Sequence, residues 1–417
     1  MFNPPDNDKE VNDLFHNREL ELQHGIDYLC ESISSQNIMV IHGESRTGKS
    51  HFLRKLIIEL KKENRPFLFH YVNANSQQTA RNVLIDIFRL LKKQIFSFNP
   101  NFDHHALAMQ QLSIVKDLLI DISPLVSGER EQMICTLTKE RITSQESHFS
   151  FLPNFVQAIF QSRQELKMGQ EKQWVIPMVS DENLIELIKY QVKLLLEIIS
   201  PEKKQSILLS VDDIDLLCDN PQGDVQVKLL LDLLNQLASD SFFNIVVTLR
   251  TESFHDRSKN MWPLQGINIF DNSEMIHIYQ KHLNLYNQGN AIYTNYAIEY
   301  LIENSDGRIG DFLKNCNVFL NDNYSIYLEK SIIDLPDIKN QVTKIINVFK
   351  INKETKKHMY SLIDTIQKEK KLEFESTDIL PRVFYDRMIQ QDTTNKNQYY
   401  INKLFSDVIQ EMENNGN

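Results

Sequence analysis

Residues 37–50 read NIMVIHGESRTGKS, and this run limits the fold more than any other part of the chain. An apolar tetrapeptide, 38–41, leads into a loop and then into 51–61 (HFLRKLIIELK). There Phe52, Leu53, Leu56, Ile57 and Leu60 recur at helical spacing. The loop, Gly43-Glu44-Ser45-Arg46-Thr47-Gly48-Lys49-Ser50, matches G-x-x-x-x-G-K-[ST] at every position. Glycines let backbone N–H groups turn inward around an anion. The helix that follows points its positive end at the same place. Lys49 and the Ser50 hydroxyl supply a cation and a Mg²⁺ ligand. All eight loop residues and His51 are therefore candidate nucleotide contacts, and ATP with Mg²⁺ is the expected ligand.

Such a loop needs an acidic partner at the end of another strand. Residues 206–211 (SILLSV) form a continuous apolar run that ends in Asp212-Asp213-Ile214-Asp215. Asp212 is placed to hold the Mg²⁺ water shell with Ser50. Asp213 is placed to orient or deprotonate an attacking water. An ordinary turn is the alternative for two adjacent aspartates. A further apolar run, 242–249 (FFNIVVTL), ends at Thr248-Leu249-Arg250. A polar residue there can read a terminal phosphate, and the Arg250 guanidinium suits that better than a hydroxyl. The alternative is a surface arginine. With a strand at 67–72 (FLFHYV) and helices at 79–94, 184–199 and 225–238, the pattern predicts an α/β fold. Its core is a parallel sheet with crossover helices and the ligand beyond the strand C-termini.

The 417 residues suffice for two to three domains. With 41% apolar and 24% charged residues and only 11 glycines, no long low-complexity tract fits. A net charge of −11 excludes a generally basic surface, so any nucleic-acid contact must use a local patch. Cys30, Cys135, Cys218 and Cys316 are widely spaced, as expected of reduced thiols in a cytoplasmic protein, and suggest no zinc site. The polar N-terminus lacks a signal sequence, and no apolar run is long enough to span a membrane. Residues 1–12 read as loose. About 160 residues separate the two nucleotide motifs, more than one crossover requires, so 95–180 reads as a helical insertion and a candidate partner surface. His104 and His105 within it read as solvated rather than metal-binding.

Residues 255–266 read as a loop carrying Arg257, Trp262 and Pro263. Arg257 is either a finger reaching a neighbouring subunit's nucleotide or a solvated side chain. Helices are predicted at 274–285 and 293–304. Asp306-Gly307-Arg308-Ile309-Gly310-Asp311 then opens a helix over 312–321. Beyond it, 342–349, 353–369, 377–380 and 381–390 read as helices or turns, 398–402 (QYYIN) as a strand and 403–412 as a closing helix.

GESRTGKS, ILLSVDDID, IVVTLR and DGRIGDFL, in that order, resemble a P-loop ATPase of the AAA+ or STAND type. The arrangement is close to the origin-recognition and helicase-loader branch, with a winged-helix-like tail. The entry at 15–22, with Arg18 and Glu19, is similar to the segment that lies near adenine in those families; a plain amphipathic helix is the other reading. The resemblance divides the chain into a core over 1–265, a helical lid over 266–321 and a winged-helix-like domain over 322–417. It implies Arg308 as a nucleotide-sensing residue of the lid, two positions from its usual place. It also implies a homo-oligomer that couples nucleotide state to an effector protein or DNA. Bacterial defence and mobile-element systems use such ATPases. Asp213 stands where many AAA+ motors have Glu, and the Thr-Leu-Arg ending looks more like STAND switches, so slow hydrolysis is expected. The alternatives are a DNA-binding initiator or transposition regulator and, less well supported by the chain's length, a small-molecule kinase.

Overall fold

A computed structural model describes residues 7–31, 38–62, 67–97 (except 76), 179–199, 206–219, 223–251 and 266–350. It also describes short strands and single positions between and after these stretches. The central sheet contains β1 (Ile38–Gly43), β2 (Phe67–Asn73), β5 (Ser206–Asp212), β6 (Phe243–Arg250) and β7 (Met261–Pro263). Their order is β2-β5-β6-β1-β7, and every pairing is parallel. The four long strands fall where the apolar runs predict them. β7 corrects the reading of 255–266 as loop throughout: Met261, Trp262 and Pro263 pair with Ile38, Met39 and Val40. A proline is tolerated there because the strand is at the edge.

Strand alternation sends side chains to two faces. Met39 and Ile41, Phe67, Leu208 and Val246 pack with Leu22, Ile26 and Leu29 of α2 (Glu19–Glu31) and with Phe52, Leu53 and Leu56 of α3 (Lys49–Lys62). Ile38 and Val40, Leu68 and Val72, Ile207 and Leu209, and Ile245 and Val247 face the other way. They meet α4 (Ala80–Ser97), α5 (Asp181–Ile199) and α6 (Gly223–Ala238). Near-continuous apolar strands are what a sheet covered on both faces requires. A third core unites α7 (Asn272–Tyr286), α8 (Asn295–Glu303), α9 (Ile309–Asp322) and the start of α11 (Leu335–Lys350), with α10 (Tyr324–Lys330) between the last two.

Three expectations need correction. The N-terminus is not loose in the described part. α1 (Asp8–Leu14) starts at Asn7, whose side chain accepts from the Glu10 amide, and Phe2 is buried in the third core. The insertion is not purely helical. β3 (Gln132–Cys135) and β4 (Trp174–Pro177) pair antiparallel across it. In the tail, β9 (Ile389–Gln391) takes the end of a stretch read as helix or turn. It pairs with β10 (Gln398–Ile401), which also pairs with β8 (Leu372–Glu373). The remaining tail segments read as helices or turns over 353–369 and 377–388, as well as His104, His105 and Arg257, lie outside the described residues. No described helix is long and apolar enough to cross a membrane.

Candidate functional site

The loop between β1 and α3 is shaped by what passes beside it. A Cβ on Gly43 would lie 2.4 Å from the carbonyl oxygen of Ile267, because the chain returns along β1 and the Ile267 amide donates to His42 O at 2.7 Å. Gly48 has φ +94°, a left-handed conformation that costs glycine little. Arg46 also has positive φ, 63°. Thr47 Oγ1 donates to Glu44 O at 3.0 Å and closes the turn. Lys49 Nζ, mostly buried, donates to the carbonyls of Gly43 (3.2 Å) and Glu44 (2.7 Å). Burial lowers the pKa of this ammonium, and Asp215, Asp213 and Asp212 oppose that shift.

Register brings the acidic motif to the loop. Asp212 ends β5 level with Asn73 of β2, and Val211 is paired with Val247 of β6. Thr248 therefore stands beside Asp212 on the α3 side of the sheet. The buried Asp212 carboxylate accepts Ser50 Oγ–H at 3.2 Å and the Asp213 amide at 3.1 Å on Oδ1. Thr248 Oγ1–H donates to the same oxygen, and Tyr71 OH donates to Oδ2 at 2.5 Å. The Asp213 amide also donates to Thr248 Oγ1 at 2.7 Å. Asp213 itself sits at φ 56°, and its pKa is pushed up to about 7, first by burial and then by Asp212 and Asp215. Sequence reasoning therefore places Lys49, Ser50, Asp212 and Asp213 in one cluster, and the structure brings them together there.

Arg250 ends β6 and turns its Nε to Asp215 Oδ2 at 2.7 Å. Asp215 is buried, and its other oxygen has no hydrogen-bond partner among the described residues. The first turn of α9 sits on the loop. Arg46 pairs with Asp311, and Arg308 Nε lies 3.4 Å from Glu44 Oε2. The expected sensing arginine thus reaches the loop through Glu44. Arg18 is buried with its guanidinium 4.2 Å above the Phe270 ring, and it donates to Asn268 O at 2.8 Å. Burial lowers its pKa to about 10. Arg18, Gly48, His51, Phe270 and Ile309 line a cavity of about 50 Å³ beside the loop. Glu19 is exposed at the start of α2 and does not line it.

Sequence reasoning missed four contacts of the site, those of Asp215, Tyr71, Thr248 and Asp311. Asp215 was visible as the third acid of its motif, and it acts on Lys49 together with Asp213 and Asp212. Tyr71 could have been found from alternation along β2, which puts it on the α3 side with Phe67 and Phe69. The Thr248 contact follows from strand order, which periodicity does not supply. Arg46–Asp311 joins residues 265 positions apart and left no local signal.

These donors fit a triphosphate with Mg²⁺. A hydroxyl and a carboxylate converge at 3.2 Å, a buried ammonium stands beside them, and the loop opens the N-terminus of α3. Fold and site together define an α/β P-loop NTPase-like protein. Residues 31–140 match the model of the AAA domain family. Among solved structures the chain is similar to the Walker-type ATPase of Pyrococcus abyssi, at 14% identity, covering 98% of this chain and 100% of that one, with a TM-score of 0.40. It is similar to the Orc1 protein of Aeropyrum pernix in complex with DNA, at 12% identity, 97% and 94% coverage and a TM-score of 0.42. It is also similar to a chain of Drosophila ORC bound to DNA, at 12% identity, 99% and 94% coverage and a TM-score of 0.41. No curated protein matches the chain.

Proposed function

We propose that the chain is a slow ATPase of the AAA+/STAND type, a switch whose nucleotide state is read by the helices after the core. The observation that carries this reading is Ser50 Oγ lying 3.2 Å from Asp212 Oδ1 across 162 residues of sequence. When bound, Mg²⁺·ATP supplies an electrophilic terminal phosphorus with its charge partly neutralised. Lys49 exchanges its loop carbonyls for phosphate oxygens. Ser50 and Asp212 hold the metal side. Asp213, with proton affinity near neutrality, is matched to accept a proton from water. Arg250 reads the terminal phosphate only by loosening its pair with Asp215. Arg308 senses through Glu44 on the loop.

The division into a core over 1–265, a lid over 266–321 and a winged-helix-like domain over 322–417 belongs to this reading. The separate apolar core of α7–α9 and α11 supports a lid, and the antiparallel set β8-β10-β9 supports a wing. The switch acts in the cytoplasm as a homo-oligomer that engages an effector protein or DNA, in a defence or mobile-element setting. Measuring mass in solution, with and without a non-hydrolysable ATP analogue and with and without duplex DNA, tests this. Analogue-dependent assembly that is lost in Lys49→Ala is the expected result. An unchanged monomer that binds no analogue would sink the proposal.

A further inference from the structure

A carboxylate that helps hold a metal must keep its plane fixed, because the terminal torsion of aspartate is soft and nearly two-fold. In this chain the two oxygens of Asp212 are held very unequally. Oδ1 receives Ser50, Thr248 and the Asp213 amide, whereas Oδ2 receives Tyr71 OH, at 2.5 Å. Ser50 is the longest of these contacts at 3.2 Å, and it is the group with another task, since its hydroxyl belongs to the loop motif. Once Ser50 turns away, Thr248 and the Asp213 amide hold one oxygen and Tyr71 holds the other.

Tyr71 is itself located by packing. It lies on β2 paired with Ser210, two residues before Asp212 on the neighbouring strand, so its ring points to the α3 side. The Arg54 guanidinium lies 6.0 Å from the ring centroid, one turn beyond Ser50 on α3, and is fixed by donating to Pro5 O at 2.8 Å. The Tyr71 ring is thus flanked by a residue outside the nucleotide motifs.

We infer that Tyr71 is a positioning residue for the metal-side carboxylate, setting the orientation in which Asp212 faces the magnesium water shell. This deepens the ATPase reading and rests on it. The role is separable from phosphate binding, because among the described residues no hydrogen bond or ion pair joins Tyr71 to the loop, and the two meet only through Asp212.

The test is calorimetric binding of a non-hydrolysable ATP analogue to the full chain, in Mg²⁺ and in EDTA, for wild type and Tyr71→Phe. In wild type, Mg²⁺ is expected to tighten binding. Tyr71→Phe is expected to bind as wild type does in EDTA but roughly 5- to 10-fold more weakly in Mg²⁺, the size of one ordinary hydrogen bond. An equal gain from Mg²⁺ in both proteins overturns the inference. A 3-fluorotyrosine inserted at position 71 keeps ring and donor and is expected to retain the wild-type gain. Loss of the gain there would assign the effect to packing and also overturn it. Wild type failing to bind the analogue in either condition would instead remove the ATPase reading.

Discussion

The amide of Gly310 donates to the carbonyl of Arg46 at 2.9 Å, so the first turn of α9 rests directly on the phosphate-binding loop. Arg46–Asp311 and Arg308–Glu44 flank that bond. A Cβ added at Gly310 would meet Arg46 Cβ at 2.9 Å and its carbonyl oxygen at 3.2 Å. Alanine favours a helix over glycine by about 1 kcal/mol, yet this crowding acts on backbone that cannot swing aside. Gly310→Ala is therefore expected to destabilise the protein by about 1 kcal/mol net. Thermal unfolding checks it: a variant as stable as wild type would mean that α9 does not seat on the loop.

Asp213 calls for a conservative probe. Its φ of 56° is tolerated by Asn but strains Ala. Asp213→Asn is expected to bind ATP as wild type does and to lose turnover by about 100-fold or more, the usual weight of a general base. Binding and single-turnover assays separate the two effects. Unchanged turnover would take Asp213 out of the chemistry.

Arg250 and Asp215 predict a large stability effect. Asp215 is buried, and Arg250 is its ion-pair partner at 2.7 Å. Arg250→Ala leaves that buried carboxylate without its ion-pair partner, and a loss of about 3 kcal/mol is expected. Arg250→Ala with Asp215→Asn is expected to recover part of it. Urea unfolding of both variants decides the point, and a double variant no better than the single would break the pairing argument.

His70, buried on β2, gives the pH dependence. Burial pushes its pKa down to about 4, against an opposing contribution from Gln94. The folded state thus binds this proton less readily than the unfolded chain does. Stability is full above the unfolded value near 6.5, falls as pH drops through that value, and levels off below about 4. The loss across that window is about 3 kcal/mol. Urea titrations at pH 7 and pH 4.5, on wild type and on His70→Phe, measure it, with the slope expected to flatten in the variant.

Phe2 stacks on Tyr279 with ring centroids 5.7 Å apart, at 2% exposure. Phe2→Ala is expected to destabilise the protein by about 3 kcal/mol. Calorimetric unfolding that shows no shift would mean that this segment is not seated in the core of α7–α9.

How far these features could be read from the residues depends on the range of the interactions behind them. The loop 43–50 and strands β1, β2, β5 and β6 announce themselves through local pattern, since glycine placement and apolar runs act within a few residues. β7 does not: three residues ending in proline carry no strand signal, and pairing to β1 alone makes them one. α1 was obscured by a polar stretch with only Val11 and Leu14 buried, although Asn7 is an ordinary cap. The pairs that complete the site, Tyr71–Asp212 and Arg46–Asp311, span 141 and 265 positions. Their geometry follows from strand order and helix docking, which no local window contains.

Strand order also bears on how the chain is made. β1 and β2 emerge first from a ribosome, yet they are not neighbours; β5 and β6 fill the space between them. Residues Ile38 to Ile41, wholly buried at the end, stay without flanking partners until Arg250 has been added. At about 5–20 residues per second this interval lasts roughly 10–40 s. Throughout it the nascent polypeptide carries bare β-edges, the kind of surface that pairs with other chains until the later strands arrive.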